Sequence, residues 1–236
     1  MNGKFYGLGV GPGDPELVTV KAVKVLNKAD IIIAPETISG KGSVAYKIIK
    51  EHVEQQDKVK FQVFPMTYDA DALDSTWNQN MEEIMLFLKQ GKDVAFITLG
   101  DPMIYSTYIY VMRRIKAQGI EVETVPGIPS FCAAASRLGI PLSEGEETIA
   151  IIPAAYKCDH MDELLTYGDN VILMKPSRGF EDTVEKLDKH QLLQNTVMIS
   201  KCGHADESIT WDLKKMTGQK IDYLSMIIAK KRGTKE

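Results

Sequence analysis

The run Asp93 to Thr98 constrains this chain more than any other. It is short, apolar and β-branched, which reads as a buried strand. Leu99-Gly100-Asp101-Pro102 follows it directly, and Ser106 to Gln118 reads as a helix. A glycine-containing turn between a buried strand and a helix marks an open α/β sheet, and such sheets bind ligands at the carboxyl ends of their strands. Gly100 allows close approach to the backbone, Asp101 offers a carboxylate to a cation or amine, and Pro102 stiffens the turn.

The same alternation recurs along the first half. Phe5 to Val10 reads as a strand and runs into Gly11-Pro12-Gly13-Asp14-Pro15. That turn lacks Gly-Lys-Ser/Thr, and the third glycine of the dinucleotide fingerprint is replaced by Pro12 or Asp14, so neither phosphate-binding motif is present. Asp14 serves as an N-cap and Pro15 as a first-turn proline for the next helix. Asp30 to Ala34 and Val59 to Phe64 read as strands, and Pro35 to Gly42 as a loop. Ser43 caps a helix from Val44 to Glu51. Met66 to Asp74 reads as a loop and Ser75 to Lys89 as a helix. Ile120 to Val125 is a further strand. Pro126 to Ser130 leads from it into a small-residue helix from Phe131 to Leu138, where Gly127 and Ser130 are placed to hold a ligand at a helix N-terminus.

The second half reads differently. Ile149 to Pro153, Asn170 to Met174 and Thr196 to Ser200 are strands, with helices near Met161 to Tyr167 and Phe180 to His190. Shorter elements follow at Glu207 to Trp211 and Tyr223 to Ala229, close enough for antiparallel pairing. The expected architecture is α/β in two domains, 1–122 with a mostly parallel sheet and 123–236 with a mixed one.

Composition narrows the function. Net charge is −4 with dispersed basic residues, so no nucleic-acid footprint is indicated. No apolar run approaches a membrane span, and no signal core opens the chain, which makes the cytoplasm the expected location. Cys158, His160, Cys202 and His204 form two Cys-x-His pairs, but that spacing is unlike the usual structural zinc sites, so no metal site is expected.

Four separated stretches then coincide in order: GLGVGPGDPELVTVKA from Gly7 to Ala22, LGDPMIYS from Leu99 to Ser106, VPGIPS from Val125 to Ser130, and LGIPL from Leu138 to Leu142. Together they resemble the tetrapyrrole methylases across essentially the whole chain. The stretch DIIIAPETISGKGSVA from Asp30 to Ala45 most resembles the precorrin-2 C-20 methyltransferases of cobalamin synthesis. The uroporphyrinogen branch has an acidic residue where this chain has Pro35, so no catalytic acid carries over from it.

The resemblance implies a homodimer and a cleft between domains holding S-adenosylmethionine. Leu99, Gly100, Asp101 and Ile104 would contact this donor from the first domain; Pro129, Ser130 and Phe131 would do so from the following loop. Lys175 aligns with a further contact position, and Pro12 lies in the glycine turn. The acceptor would be precorrin-2 or cobalt-factor II, and the second product S-adenosylhomocysteine. The catalytic base is left open among Asp14, Glu36 and Tyr105. Lys41, Lys47, Arg113 and Arg137 are candidate partners for macrocycle carboxylates. Competing acceptors are corrin carbons C-4 or C-11, an RNA ribose or a diphthamide precursor. Non-catalytic binding of adenosine compounds or tetrapyrroles is a further alternative.

Overall fold

A computed structural model describes residues 1–65, 70–153 and 155–233. The chain divides into two compact units, Met1–Pro129 and Ser130–Glu236. The first contains strands β1 (Phe5–Gly9), β2 (Ile31–Glu36), β3 (Val59–Val63), β4 (Val94–Thr98) and β5 (Val122–Val125). Its helices are α1 (Val20–Lys28), α2 (Val44–Ile49), α3 (Ala70–Lys89) and α4 (Tyr108–Ala117). The strands lie in the order β3-β2-β4-β1-β5, every pair parallel.

The continuous apolar runs are explained by burial of both sheet faces. On one face Leu8, Ile32 and Ile97 pack with Leu26 of α1 and Ile48 of α2. On the other, Phe5, Ile33 and Phe96 pack with Ile84 and Leu88 of α3 and Val111 and Ile115 of α4. Phe5 pairs with Val122 and Leu8 with Val125, so β5 is the edge strand of this sheet. The contact division accordingly falls after Pro129, whereas the sequence-based division at 122/123 falls at the start of β5.

Three local expectations are corrected. The second strand does not stop before Pro35 but continues to Glu36. Pairing with β4 ends at Ile33, so Pro35 needs no N–H on that side. Pro15 begins only a short 3-10 turn, Pro15–Leu17, capped by Asp14 Oδ1 accepting from Glu16 N at 2.9 Å. Val18 is extended, and Thr19 caps α1 by accepting from Ala22 N at 3.2 Å. Finally, α3 begins at Ala70, where a loop to Asp74 was expected; Ala70, Ala72 and Leu73 are strong helix formers. Residues 66–69 of that expected loop lie outside the described residues.

The second unit contains α5 (Ser130–Leu138), β6 (Ile149–Ile152), α6 (Met161–Tyr167), β7 (Asn170–Met174), α7 (Phe180–Lys189), β8 (Thr196–Ser200), β9 (Ser208–Thr210) and β10 (Ser225–Lys230). Its sheet order is β6-β7-β10-β8-β9. β6 and β7 are parallel, and the remaining pairs are antiparallel. Leu173, Met198 and Ile227 pack with Leu165 of α6 and with Phe180, Val184 and Leu187 of α7. The fold is thus α/β with one parallel and one mixed sheet.

Candidate functional site

The sheet order places β1 between β4 and β5, so the turns after these three strands meet. Val10 N donates to Thr98 O at 3.0 Å. Gly11 and Gly100 then form an antiparallel bridge, Gly100 N to Gly11 O at 2.8 Å and Gly11 N to Gly100 O at 3.3 Å. Gly127, after β5, packs against both turns. A Cβ added to it would lie 2.3 Å from Gly100 O and 2.7 Å from Gly9 Cα, closer than real side chains approach backbone.

Asp101 fastens this arrangement. Its Oδ1 accepts from Met103 N at 2.8 Å and its Oδ2 from Gly127 N at 3.0 Å. The carboxylate read in the sequence as an offering to a cation or amine is therefore first a clamp on two backbone turns. Each oxygen retains acceptor capacity. Behind the turn, Thr98 Oγ1 and Ser106 Oγ share a buried hydrogen bond of 2.9 Å, and Ser106 Oγ accepts from Tyr108 N at 3.1 Å.

Gly100 itself is different from Gly127. Its φ is +70°, and an added Cβ would meet only Ile128 O, at 4.0 Å. Its Cβ position is therefore uncrowded, although Gly100 is buried and its N–H and C=O are both bonded to Gly11. Pro12 is buried in the neighbouring turn, while Leu99 and Ile104 are half-buried beside the Asp101 turn. The structure thus brings Pro12, Leu99, Gly100, Asp101 and Ile104 to one end of the first sheet together with Gly127, which the sequence placed before a helix N-terminus and which the structure packs against the other two turns.

The three candidate bases are differently placed. Glu36 Oε2 accepts from Gly40 N at 3.0 Å, tying down the loop after β2, and the side chain is buried. Asp14 is committed to its turn, as described above. Tyr105 is half exposed on a left-handed backbone with φ 49°, an uncommon conformation for a bulky residue. Lys41, Lys47 and Arg113 are exposed, and Arg137 pairs with Glu207 at 2.8 Å.

In the second unit Ser130 and Phe131 open α5, Pro129 immediately precedes them, and Phe131 is buried. Lys175 directly follows β7 with φ 53°. Burial, with a smaller contribution from Glu207, pushes the Cys202 thiol up to about 11, so it is a packed thiol at neutral pH. Among the described residues no group of three or more His, Cys, Asp and Glu side chains lies where it could hold a metal ion. Also among them, no helix is long and apolar enough to cross a membrane.

The profile of the tetrapyrrole (corrin/porphyrin) methylases matches residues 4–217. The chain belongs to this family. A probable cobalt-precorrin-2 C(20)-methyltransferase of Methanocaldococcus jannaschii is 43% identical over 173 residues, 73% of this chain and 72% of the relative. A cobalt-precorrin-2 C(20)-methyltransferase of Salmonella typhimurium is 33% identical over 98% of both chains. Among solved structures, a cobalt precorrin-4 methyltransferase superposes with a TM-score of 0.72 at 21% identity, covering 96% of this chain and 94% of that one, which shows a common fold. The woven glycine turns thus belong to a tetrapyrrole methylase.

Proposed function

We propose that this tetrapyrrole methylase transfers the methyl group of S-adenosylmethionine to the C-20 meso carbon of metal-free precorrin-2 or of its cobalt-containing counterpart at the same step, such as cobalt-factor II. The observation that carries this reading is the end-to-end similarity to the Salmonella C(20)-methyltransferase. The names of that relative and the Methanocaldococcus one favour the cobalt-containing acceptor. We assign donor contacts to Pro12, Leu99, Gly100, Asp101, Ile104, Pro129, Ser130, Phe131 and Lys175. In the first group, Gly100 supports this reading, since no atom lies nearer than 4.0 Å to the position a side chain would take. A cytoplasmic homodimer is the proposed form, on the family resemblance.

The chemistry asks little covalent help of the protein. The electron-rich meso carbon attacks the sulfonium methyl; the carbon–carbon bond forms as the carbon–sulfur bond breaks, S-adenosylhomocysteine leaves, and the C-20 proton is lost. The chain's task is to align carbon, methyl and sulfur and to exclude water. The Asp101 clamp suits that task because it fixes the turn through two hydrogen bonds to main chain. Asp14, Glu36 and Tyr105 are to be compared as proton acceptors by alanine substitution, and a variant with unchanged turnover is removed from the role.

The test is incubation with S-adenosylmethionine and either acceptor, read by mass spectrometry and carbon-13 NMR. The expected outcome is gain of one methyl at C-20, with the preferred acceptor defining the pathway. Methylation at C-4 or C-11 replaces the acceptor position. Donor binding with both acceptors unmodified replaces the enzyme reading with a binding one. Light scattering is expected to give twice the 26.3 kDa chain mass.

A further inference from the structure

Strand β2 leaves the first sheet at the same end as the Gly100-Asp101 turn, because β2 and β4 are adjacent and parallel. The loop that follows it is a tight turn. Lys41 N donates to Ile38 O at 3.2 Å, and Gly40, third in that turn, has φ +73°. Glu36, the last residue of β2, holds the turn from inside: its buried side chain accepts from Gly40 N at 3.0 Å. Ser43 then closes the loop by capping α2, accepting from Tyr46 N at 3.3 Å.

Charge along this stretch is one-sided. From Thr37 to Lys50 the chain carries Lys41, Lys47 and Lys50 and no acidic residue, in a protein of net charge −4. Elsewhere in the first unit, Lys4 and Lys21 pair with Glu123 and Lys28 with Asp93. Lys41 and Lys47 are exposed and, among the described residues, make no ion pair. The neighbouring Glu36 is committed to Gly40. Lys47 runs back along α2 toward the loop, as helical side chains do. Its Cε lies 4.0 Å from where a Cβ on Gly42, the residue after Lys41, would stand. Two cations without counter-charges thus flank Gly42 at the sheet end where the glycine turns meet. Like charges held side by side repel, and a ligand bearing several anionic groups relieves that repulsion.

Resting on the methyl-transfer reading above, we propose that Lys41 and Lys47 form a subsite for the carboxylate-bearing rim of the acceptor macrocycle, and that Glu36 is the positioning residue that holds the turn carrying Lys41. The methionyl portion of the donor has one carboxylate, whereas the macrocycle has several around its edge, which matches two uncompensated cations at one place.

The test measures binding of a porphyrin octacarboxylate by fluorescence quenching, with S-adenosylhomocysteine by calorimetry as the control. Exposed charge pairs are weak singly, so Lys41→Met and Lys47→Met should each weaken the porphyrin about threefold and the double variant about tenfold. S-adenosylhomocysteine affinity should keep its wild-type value in all three. Added salt should weaken porphyrin binding to the wild-type protein more than to the double variant, since screening acts on the charges that the variant lacks. Glu36→Ala should weaken the porphyrin and Glu36→Gln should restore it, because an amide oxygen still accepts from Gly40 N. The acceptor KM is expected to follow the same order. Wild-type porphyrin affinity and acceptor KM in the double variant overturn the subsite, as does equal weakening of porphyrin and S-adenosylhomocysteine. A Glu36→Ala protein that melts earlier yet binds the porphyrin as the wild type does overturns the positioning role. Methylation of neither acceptor by a wild-type protein whose porphyrin binding depends on both lysines withdraws the proposed reaction and keeps the subsite.

Discussion

Gly127 and Gly100 are both glycines for structural reasons, but the reasons differ and so do their consequences. A methyl on Gly127 meets main chain of Gly100 and Gly9 on both sides, and none of those atoms belongs to a side chain that can rotate away. Gly127→Ala is expected to cost about 3 kcal/mol, as overpacking against rigid neighbours does. A methyl on Gly100 meets only Ile128 O, at an ordinary contact distance of 4.0 Å, and pays only for the left-handed backbone, roughly 1–2 kcal/mol. Urea unfolding should therefore rank Gly127→Ala well below Gly100→Ala in stability. Ligand affinity should separate them further: if the donor lies against Gly100, Gly100→Ala weakens S-adenosylhomocysteine by more than its loss of stability explains. Unchanged affinity in that variant would remove Gly100 from the donor site. The importance of the Gly100-Asp101 turn is legible in the sequence because it follows an apolar strand. Asp101's partner is not, since Gly127 is 26 residues away and no local pattern links them.

At the level of elements, apolar runs locate the strands and their periodicity locates the helices, but long-range pairing decides the details. The alternation predicts a parallel sheet, yet nothing local orders it β3-β2-β4-β1-β5. Pro35 looks like a strand terminator until its register shows pairing to β3 alone. The left-handed turns at Lys175 and Lys201 carry no glycine to announce them. Charge pairing across elements was equally invisible. Glu123 of β5 accepts from Lys21 of α1 at 2.6 Å and from Lys4 beside β1 at 2.8 Å. These two hydrogen bonds, Lys21 first, hold its carboxyl near 2 against an ordinary value of 4.5. Because the folded value is depressed, the stabilisation is present above 4.5 and is lost as pH falls toward 2. Glu123→Gln should therefore lower the unfolding midpoint at neutral pH, and its gap from the wild type should close across that acidic window. A gap that is the same at both ends of the window would show that the pairs contribute through packing and not through charge.

At the scale of the whole molecule, donor binding and folding are linked, and this gives a test of the methylase reading that needs no acceptor. A ligand that binds only the native state at a hundred times its Kd stabilises it by about 2.7 kcal/mol. For a chain of 236 residues, each kcal/mol raises the midpoint by roughly 2–4 °C, so saturating S-adenosylhomocysteine should raise it by roughly 5–10 °C. Asp101→Asn supplies the control. An asparagine has one acceptor oxygen where the clamp uses two, so either Met103 N or Gly127 N loses its partner. The variant should melt earlier without ligand and also gain less from S-adenosylhomocysteine, since the turn that presents Gly100 is no longer held. A variant that melts earlier yet shows the full wild-type shift would make Asp101 a folding residue with no part in the donor site. No shift in the wild-type protein would leave the family fold in place and withdraw the donor.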